Sequence, residues 1–252
     1  MKTLSLDQIQ ESVPAIFTTD RSPKVSSRYS FVPTIEILDK FLNSGWKITS
    51  ASQRGRDPHG RHFIRLGLEE LPQVGDCLPE LLISNSHDGS TPFNLRTGLH
   101  RLVCSNGLTV PTALSHNFAS RHLKFSVEEV KKVTDEFAKK LPFISEKVKL
   151  MCEKSLSWKE QCDYVDQAKI IRWGNKESAP LIKHFDVLKP LRGEDSDPNL
   201  WNVFNIVQEK FVRGGINLTS LDGKIRKSSN IKNFERVNQI NTQLWELAEA
   251  AL

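Results

Sequence analysis

The apolar residues of this chain repeat with two different periods, and the period changes near residue 125. Before that point, "WKITSASQ" and "HFIRLGL" alternate apolar and polar residues, which is typical of half-buried β-strands. After it, apolar residues recur at every third or fourth position, which is typical of amphipathic helices. The sequence therefore predicts an α+β fold: an N-terminal antiparallel sheet with short helices, followed by a mainly helical C-terminal half.

The first portion, residues 1–125, is predicted to contain one clear helix and a β-hairpin. Residues 33–46, "PTIEILDKFLNSGW", show helical spacing, and Gly45 follows the end of the helix as a cap. The turn formers of "RGRDPHGR" join the two alternating segments into a hairpin with an arginine-rich tip. Two further strands are predicted at "PELLIS" and "GLHRLVCS".

The second portion, residues 126–252, is predicted to be mainly helical and to pack on the first as one compact unit. Four segments carry helical patterns: "SVEEVKKVTDEFAKKL", which Pro142 stops; "SLSWKEQCDYVDQAKIIRWG", with Ser157 and Glu160 in a capping box; "DPNLWNVFNIVQEKFVRGG", with Asp197 as N-cap and Gly214 as C-cap; and "RVNQINTQLWELAEAAL". The stretch from Leu218 to Lys232 has little apolar pattern and is interpreted as a mobile basic loop.

The composition is that of an ordinary soluble globular protein, with 38% apolar and 26% charged residues. No apolar run approaches the roughly 20 residues of a spanning helix, and the N-terminus lacks the apolar core of a signal peptide. We therefore expect a cytoplasmic protein that does not bind membranes. The four cysteines have no C-x-x-C spacing, so neither a disulfide framework nor a zinc knuckle is expected. No cofactor or metal is predicted.

The positive charge is clustered, although the net charge is only +5. No acidic residue occurs between Gly89 and Val127, and a second arginine-rich stretch lies at the hairpin tip. Clustered cations bind phosphates, and aromatic side chains such as Phe93, Phe118 and Phe125 could stack on unpaired bases. The alternative is a solvated basic face over an aromatic core. The predicted phosphate contacts are Arg54, Arg56, Arg61, Arg96, Arg101, Arg121, Lys224, Arg226 and Lys227.

The segment "SNSHDGS" between two predicted strands invites a catalytic or metal-binding interpretation. His87, Asp88, His100 and Cys104 could form such a site only if the fold brought them together, which their spacing does not require. Asn85 and Asp88 are also typical of turns, and Gly89 can adopt a positive φ. We interpret Asn85, His87 and Asp88 as a polar turn that supports the neighbouring cations.

Several long segments resemble a known family of phage- and plasmid-borne proteins. The resemblance rests on "LLISNSHDGSTPFNLRTGLHRLVCSNGL", "LWNVFNIVQEKFVRGG" and "VNQINTQLWELAEAAL", and it extends to "YSFVPTIEILDKFLNSGW" and "SQRGRDPHGRHFIRLGL". The chain is thereby similar to the "phage/plasmid-like protein" family, a domain-of-unknown-function family. The resemblance implies a role in replication, recombination or counter-defence, and it supplies no catalytic residues.

These observations favour a binding protein over an enzyme. The leading hypothesis is a phage- or plasmid-encoded protein that binds nucleic acid, most of all single-stranded DNA in replication or recombination, and that can form a homo-oligomer. A second hypothesis is a counter-defence protein that binds a host protein through an apolar helical face with Trp201, Phe211 and Trp245. A third is a metal-dependent nuclease that uses His87, Asp88, His100 and Cys104.

Overall fold

The predicted α+β architecture is confirmed by the order of the helices and strands. A computed structural model describes residues 3–101, 107–108, 127–174, 180–220 and 223–252. The chain divides into two compact units, which consist of residues 1–107 with 112–142 and of residues 108–111 with 143–252. None of the helices in the described ranges is both long enough and apolar enough to cross a membrane.

A five-stranded sheet forms the centre of the first unit, with its strands in the order β1-β2-β3-β4-β5. The strands are β1 (Lys47–Gln53), β2 (His62–Gly67), β3 (Cys77–Asn85), β4 (Asn94–Arg101) and β5 (Gly107–Leu108). The pairs β1–β2, β2–β3 and β3–β4 are antiparallel, which confirms the predicted hairpin and the strand pair around the polar turn. β4 begins at Asn94, earlier than the predicted "GLHRLVCS", whose residues 102–105 lie outside the described ranges.

Alternate residues of each strand point to the same side of the sheet. On one side these residues are apolar. Ile64, Leu81 and Leu95 are almost fully buried on this face. The N-terminal segment supplies α1 (Leu6–Gln10), a short 3₁₀ helix (Pro14–Phe17) and α2 (Thr34–Asn43). α2 lies beside β1 and buries Ile37, Leu38 and Phe41, so burial of its apolar stripe explains why this segment is helical. Gly45 follows α2 with a φ of +90°, as predicted.

The helix α3 (Val127–Glu153) continues through Pro142, so the prediction that this proline stops the helix is wrong. A proline inside a helix removes one hydrogen bond and crowds the preceding turn. Here the apolar stripe does not end at Pro142, because Leu141, Ile144 and Val148 are all buried, while Pro142 itself is exposed. Burial on both sides of the proline outweighs the local cost.

The second unit contains four further helices: α4 (Trp158–Trp173), α5 (His184–Leu188), α6 (Leu200–Arg213) and α7 (Phe234–Ala250). The predicted capping box of α4 is confirmed, with Ser157 and Glu160 bonded reciprocally. Asp197 is not the N-cap of α6, which is Asn199. Residues just before α6 are held extended, since the Pro198 carbonyl accepts the Leu156 N–H at 2.8 Å and Asn199 forms a β-bridge with Ser155.

The core of the second unit is aromatic. Trp201 and Phe204 of α6 lie 6.4 Å and 6.0 Å, centroid to centroid, from the ring of Trp245 on α7. Trp201, Phe211 and Trp245 are each at most 3% exposed. The expectation that these three residues could form an exposed partner-binding face is therefore wrong: Trp201 and Trp245 join α6 to α7, and Phe211 packs on Trp173 of α4.

The basic segment from Leu218 to Lys232 was expected to be a loop, and the structure instead places a β-hairpin in it. Strand β6 (Asn217–Thr219) pairs antiparallel with β7 (Ile225–Lys227). Leu218 is buried, which anchors the hairpin, whereas all three residues of β7 are exposed. Gly214 ends α6 with a φ of +79°, as predicted, and it also lies against the strand that leaves the hairpin.

Replacing Pro142 by alanine is expected to stabilise the protein. The change restores an N–H donor to α3 at an exposed position, and we expect the free energy of unfolding to rise by about 2 kcal/mol. Urea denaturation of the wild type and the variant measures this difference. Lys149→Ala, at another exposed position of α3, is the control and should change the free energy by less than about 0.5 kcal/mol. A Pro142→Ala variant of unchanged or lower stability would contradict the argument.

Candidate nucleic-acid interface

Three loops of the first unit converge where β1 and β3 end. They are residues 18–29, the β1–β2 tip (residues 54–61) and the β3–β4 loop (residues 86–93). The Thr18 hydroxyl donates to the Pro58 carbonyl, which joins the first two loops. The backbone of His87 joins all three, because its N–H donates to the His59 carbonyl at 2.8 Å and its carbonyl accepts the Ser22 N–H at 2.9 Å. We call this region the loop end of the sheet.

The loop end carries a concentration of cations. Two of its arginines fix the loops themselves: Arg21 donates to the carbonyls of Ser26 and Ser27, and Arg61 donates to the hydroxyl and carbonyl of Ser90. The remaining cations are exposed, and no described carboxylate forms an ion pair with them. These free cations are Lys24, Arg28, Arg54 and Arg56.

The acidic residues of the loop end are used within the loops. Asp57 accepts the backbone N–H of His59, and Asp88 accepts the backbone N–H of Ser90, both at 2.9 Å. Partial burial alone would raise the pKa of Asp88. The hydrogen bonds with Ser90 outweigh this effect, so the pKa lies below its ordinary value. The third acid is the exposed Asp20, which lies 3.7 Å from the ring of His59. The six lysines and arginines of the three loops outnumber these three carboxylates, so the surface has a net positive charge.

Two neutral histidines lie beneath the loop end. The rings of His62 and His87 are 5.0 Å apart and both residues are fully buried. The Nδ1 atom of His62 lies 3.0 Å from the Gly60 carbonyl, so this nitrogen carries the proton. The Thr34 hydroxyl can then donate to Nε2 of His62 over 2.8 Å, while it accepts from the Asn85 amide at 2.9 Å. This chain of hydrogen bonds satisfies the buried side chains of Thr34, His62 and Asn85.

Burial lowers the pKa of His62 to about 4 and the pKa of His87 to about 4, and the neighbouring His62 ring adds to the effect on His87. Both imidazoles are therefore neutral near pH 7. His87 donates from Nε2 to the Ala15 carbonyl at 2.9 Å, and its Nδ1 is buried without a hydrogen-bond partner among the described residues. The polar turn of Asn85, His87 and Asp88 is thus built into the fold as a structural support.

The geometry argues against a catalytic set made of His87, Asp88, His100 and Cys104. His100 pairs with Leu78 near the start of β3, whereas His87 follows the end of that strand, about 24 Å of extended chain away. Cys104 lies outside the described residues. Within the described ranges, no three His, Cys, Asp or Glu side chains are placed to hold a metal ion.

The predicted phosphate contacts are only partly brought together. Arg54, Arg56 and Arg61 share the loop end, whereas Arg96 lies in the middle of β4, opposite Leu82. Arg101 is buried and ion-paired with Asp76 at the other end of β3, which argues against a phosphate contact there. Arg121, Phe118 and Phe125 lie outside the described residues, and Phe93 is buried. Lys224, Arg226 and Lys227 are exposed on the hairpin of the second unit.

Sequence reasoning missed the cations that residues 18–29 bring to the loop end. Arg21, Lys24 and Arg28 occur in "DRSPKVSSRYS", a segment rich in serine that shows neither helical nor strand period. Its composition is a recognisable loop signal. Its position next to the hairpin tip depends on hydrogen bonds such as that from Ser22 to His87, which no local pattern reveals.

Comparison with known proteins identifies the family. The model of the domain of unknown function DUF932 matches residues 23–245, which include most of the loop end and most of the second unit. The chain belongs to the DUF932 family. Two relatives from Escherichia coli (strain K12) are similar to this DUF932 chain over its whole length and over 92% of their own: the UPF0380 protein YafZ, at 28% identity, and the UPF0380 protein YfjQ, at 27%. No solved structure matches the chain.

The buried histidines predict a loss of stability in acid. Their pKa values of about 4 in the folded chain lie below the ordinary value of 6.5, so the unfolded chain takes up protons first as the pH falls. The stabilising contribution is fully present above pH 6.5 and is lost as the pH falls towards 4. At about pH 5, each of the two histidines should lower the free energy of unfolding by on the order of 2 kcal/mol relative to its value at neutral pH.

Urea denaturation at several pH values measures this loss. A His87→Asn variant should be less stable than the wild type at neutral pH, but its stability should depend less steeply on pH. The control is His184→Asn, which removes a half-buried histidine of the second unit and leaves the buried pair intact. A wild-type free energy that stayed constant between pH 6.5 and 5 would rule out this role for the pair.

Proposed function

We propose that this protein binds single-stranded DNA through the loop end of its sheet. The observation that supports the proposal is the convergence of three loops that expose Lys24, Arg28, Arg54 and Arg56 on one surface without carboxylate partners among the described residues. Such cations bind phosphates and release counterions, which supplies most of the affinity of non-specific nucleic-acid binding. The proposal assigns no catalytic role to the chain.

A single strand fits this surface better than a duplex does. The exposed cations stand on loops of different lengths, so their spacing is irregular, and a flexible strand can adjust its phosphates to them. A rigid duplex is usually recognised by a helix or a β-ribbon that enters the major groove. Within the first unit, α3 contacts Trp46 at the start of β1 through Thr134, whereas the loop end lies at the end of that strand.

The β6–β7 hairpin is proposed as a second contact with the strand, through Lys224, Arg226 and Lys227. The three side chains lie on a short exposed hairpin that is anchored by the buried Leu218. We also propose that the family acts on the DNA of mobile elements, in replication or recombination. This part of the proposal is supported by the likeness of the chain to phage- and plasmid-borne proteins.

Removal of the free cations of the loop end should weaken strand binding. We expect an Arg54→Ala/Arg56→Ala variant to bind a labelled single strand of about 30 nucleotides roughly tenfold more weakly at low salt. Its slope of log K against log salt should also become shallower, by about 0.7 for each lost phosphate contact. Fluorescence anisotropy at two or more salt concentrations measures both quantities. Lys24→Ala/Arg28→Ala should behave in the same way.

The matched control is Lys131→Ala/Lys132→Ala. These exposed lysines of α3 lie close in sequence to Thr134, which accepts from the Trp46 indole at the far end of β1, so the control loses the same charge away from the loop end. It should leave both affinity and salt slope almost unchanged. Arg21 and Arg61 are left intact in all variants because they hold the loops. Equal losses in the control and the loop-end variants, or no binding by the wild type at low salt, would refute the proposal.

A second candidate function is binding of a host protein, and one observation favours it. Leu181 and Ile225 both pair with Thr219 of β6, so their side chains share one face of the hairpin, where they are 60% and 71% exposed. Apolar side chains that lie side by side at the surface are typical of protein interfaces. A Leu181→Ser/Ile225→Ser variant that lost a captured host protein but kept strand binding would favour this alternative.

A further inference from the structure

The side chain of Arg236 contacts the backbone of Arg172 where α4 ends and α7 begins. Arg236, in the first turn of α7, donates to the carbonyls of Ile171 and Arg172 at 2.9 Å and 3.3 Å. Arg172, in the last turn of α4, donates to the carbonyl of Ser229 at 3.1 Å. Ser229 lies just beyond the β6–β7 hairpin, so three segments of the chain meet at this arginine pair.

The positive charge of the pair is not neutralised by any described residue. Among the residues whose side chains the structure describes, which leave out 175–179, 234 and 235, no carboxylate forms an ion pair with Arg172 or Arg236. The Nη1 atom of Arg236 donates to the neutral amide of Gln239 at 2.7 Å. Burial lowers the pKa of Arg172, and the charge of Arg236 lowers it further. Two half-buried cations that repel each other are unfavourable unless an anion joins them.

The arginine pair also has an unused donor. The Nε atom of Arg172 is buried and has no hydrogen-bond partner among the described residues. Its guanidinium lies over the ring of Trp173, 5.4 Å from the ring centroid, and the edge of that ring meets Phe211 at 5.0 Å between centroids. Packing on Trp173 and the bond to Ser229 therefore hold the guanidinium in one orientation while Nε stays buried and unpaired.

A purely structural role explains the bonds of Arg236 but not every donor of Arg172. Arg236 satisfies carbonyls at the C-terminal end of α4, where a cation is favourable. That role requires no second arginine beside it, and it leaves the Nε donor of Arg172 unexplained. A phosphate satisfies both requirements, because its oxygens accept from guanidinium N–H groups and its charge offsets the repulsion between the two cations.

We propose that Arg172 and Arg236 form a binding site for a phosphate group. The site is independent of the loop end and of the proposed DNA binding, since it rests on a different unit and on different residues. The phosphate can come from the backbone of a nucleic-acid strand or from a free phosphorylated molecule. Both sources offer the same charged oxygens to the two guanidinium groups.

Inorganic phosphate is the first probe of the site. At equal ionic strength, phosphate should raise the Tm of the wild type above its value in chloride by roughly 2 to 4 °C. In Arg172→Gln this difference should disappear, while the Tm in chloride should stay the same or rise because the repulsion is removed. Lys149→Gln, which loses one exposed charge on α3, is the control and should keep the full difference.

Tryptophan fluorescence supplies a local measurement. Phosphate should change the emission of the wild type, and a Trp173→Phe variant should lose most of that change. A merely structural pair predicts another pattern: Arg172→Gln would lower the Tm equally in both salts, and phosphate would not alter the emission. Either the absence of a phosphate effect in the wild type or an unchanged effect in Arg172→Gln would overturn the proposal.

Binding of a single-stranded oligonucleotide identifies the source of the phosphate. A strand bound at this site should be displaced by inorganic phosphate, and its affinity should fall several-fold in Arg172→Gln but not in Lys149→Gln. If Arg172→Gln loses the phosphate effect yet binds the strand as the wild type does, the site takes a free phosphorylated molecule. The phosphate effect on Tm does not depend on strand binding, so failure of the proposed DNA binding would leave this test intact.

Discussion

The arrangement of the three loops at the loop end depends on one residue, His87, more than on any cation of the loops. Its N–H and carbonyl join the β1–β2 tip and residues 18–29 to the end of β3, and its ring donates to Ala15 in the 3₁₀ helix. The ring bond uses Nε2–H, and burial lowers the pKa of His87 to about 4, so the imidazole that makes it is neutral near pH 7. The residue that most resembles a catalytic histidine in the sequence is therefore the one that orders the surrounding loops.

The cations of the loop end divide into two groups with different tasks. Arg21 and Arg61 donate hydrogen bonds to backbone carbonyls within the loops, and these bonds keep the loops in place. The exposed group, to which Arg54 and Arg56 belong, can then face solvent from a fixed support. The second unit repeats this combination at the arginine pair, where contacts with carbonyls and with Trp173 orient charge that no described carboxylate neutralises.

Local sequence patterns were enough for the helices and strands with a regular apolar period. They predicted the β1–β2 hairpin, the capping box of α4 and the glycine that ends α6, because each depends on residues close together in the chain. They failed where distant contacts decide: burial on both sides of Pro142 carries α3 onwards, and the burial of Leu218 anchors a hairpin in a segment that reads as a loop. The same limit applies to the site. A long-range bond from Ser22 to His87 places residues 18–29 at the loop end, and the ion pair with Asp76 helps to bury Arg101.

Gly214 places a constraint on how this part of the family can vary. A Cβ atom at this position would lie only 2.5 Å from the carbonyl oxygen of Ser228 and 2.7 Å from the carbonyl carbon of Ser229, and the φ of +79° already disfavours other residues. Any side chain there would push the returning strand away from α6 and carry the Ser229 carbonyl away from Arg172. In a relative without this glycine, the hairpin and the arginine pair would have to change together. Gly214, Arg172 and Arg236 are therefore expected to be inherited as a set.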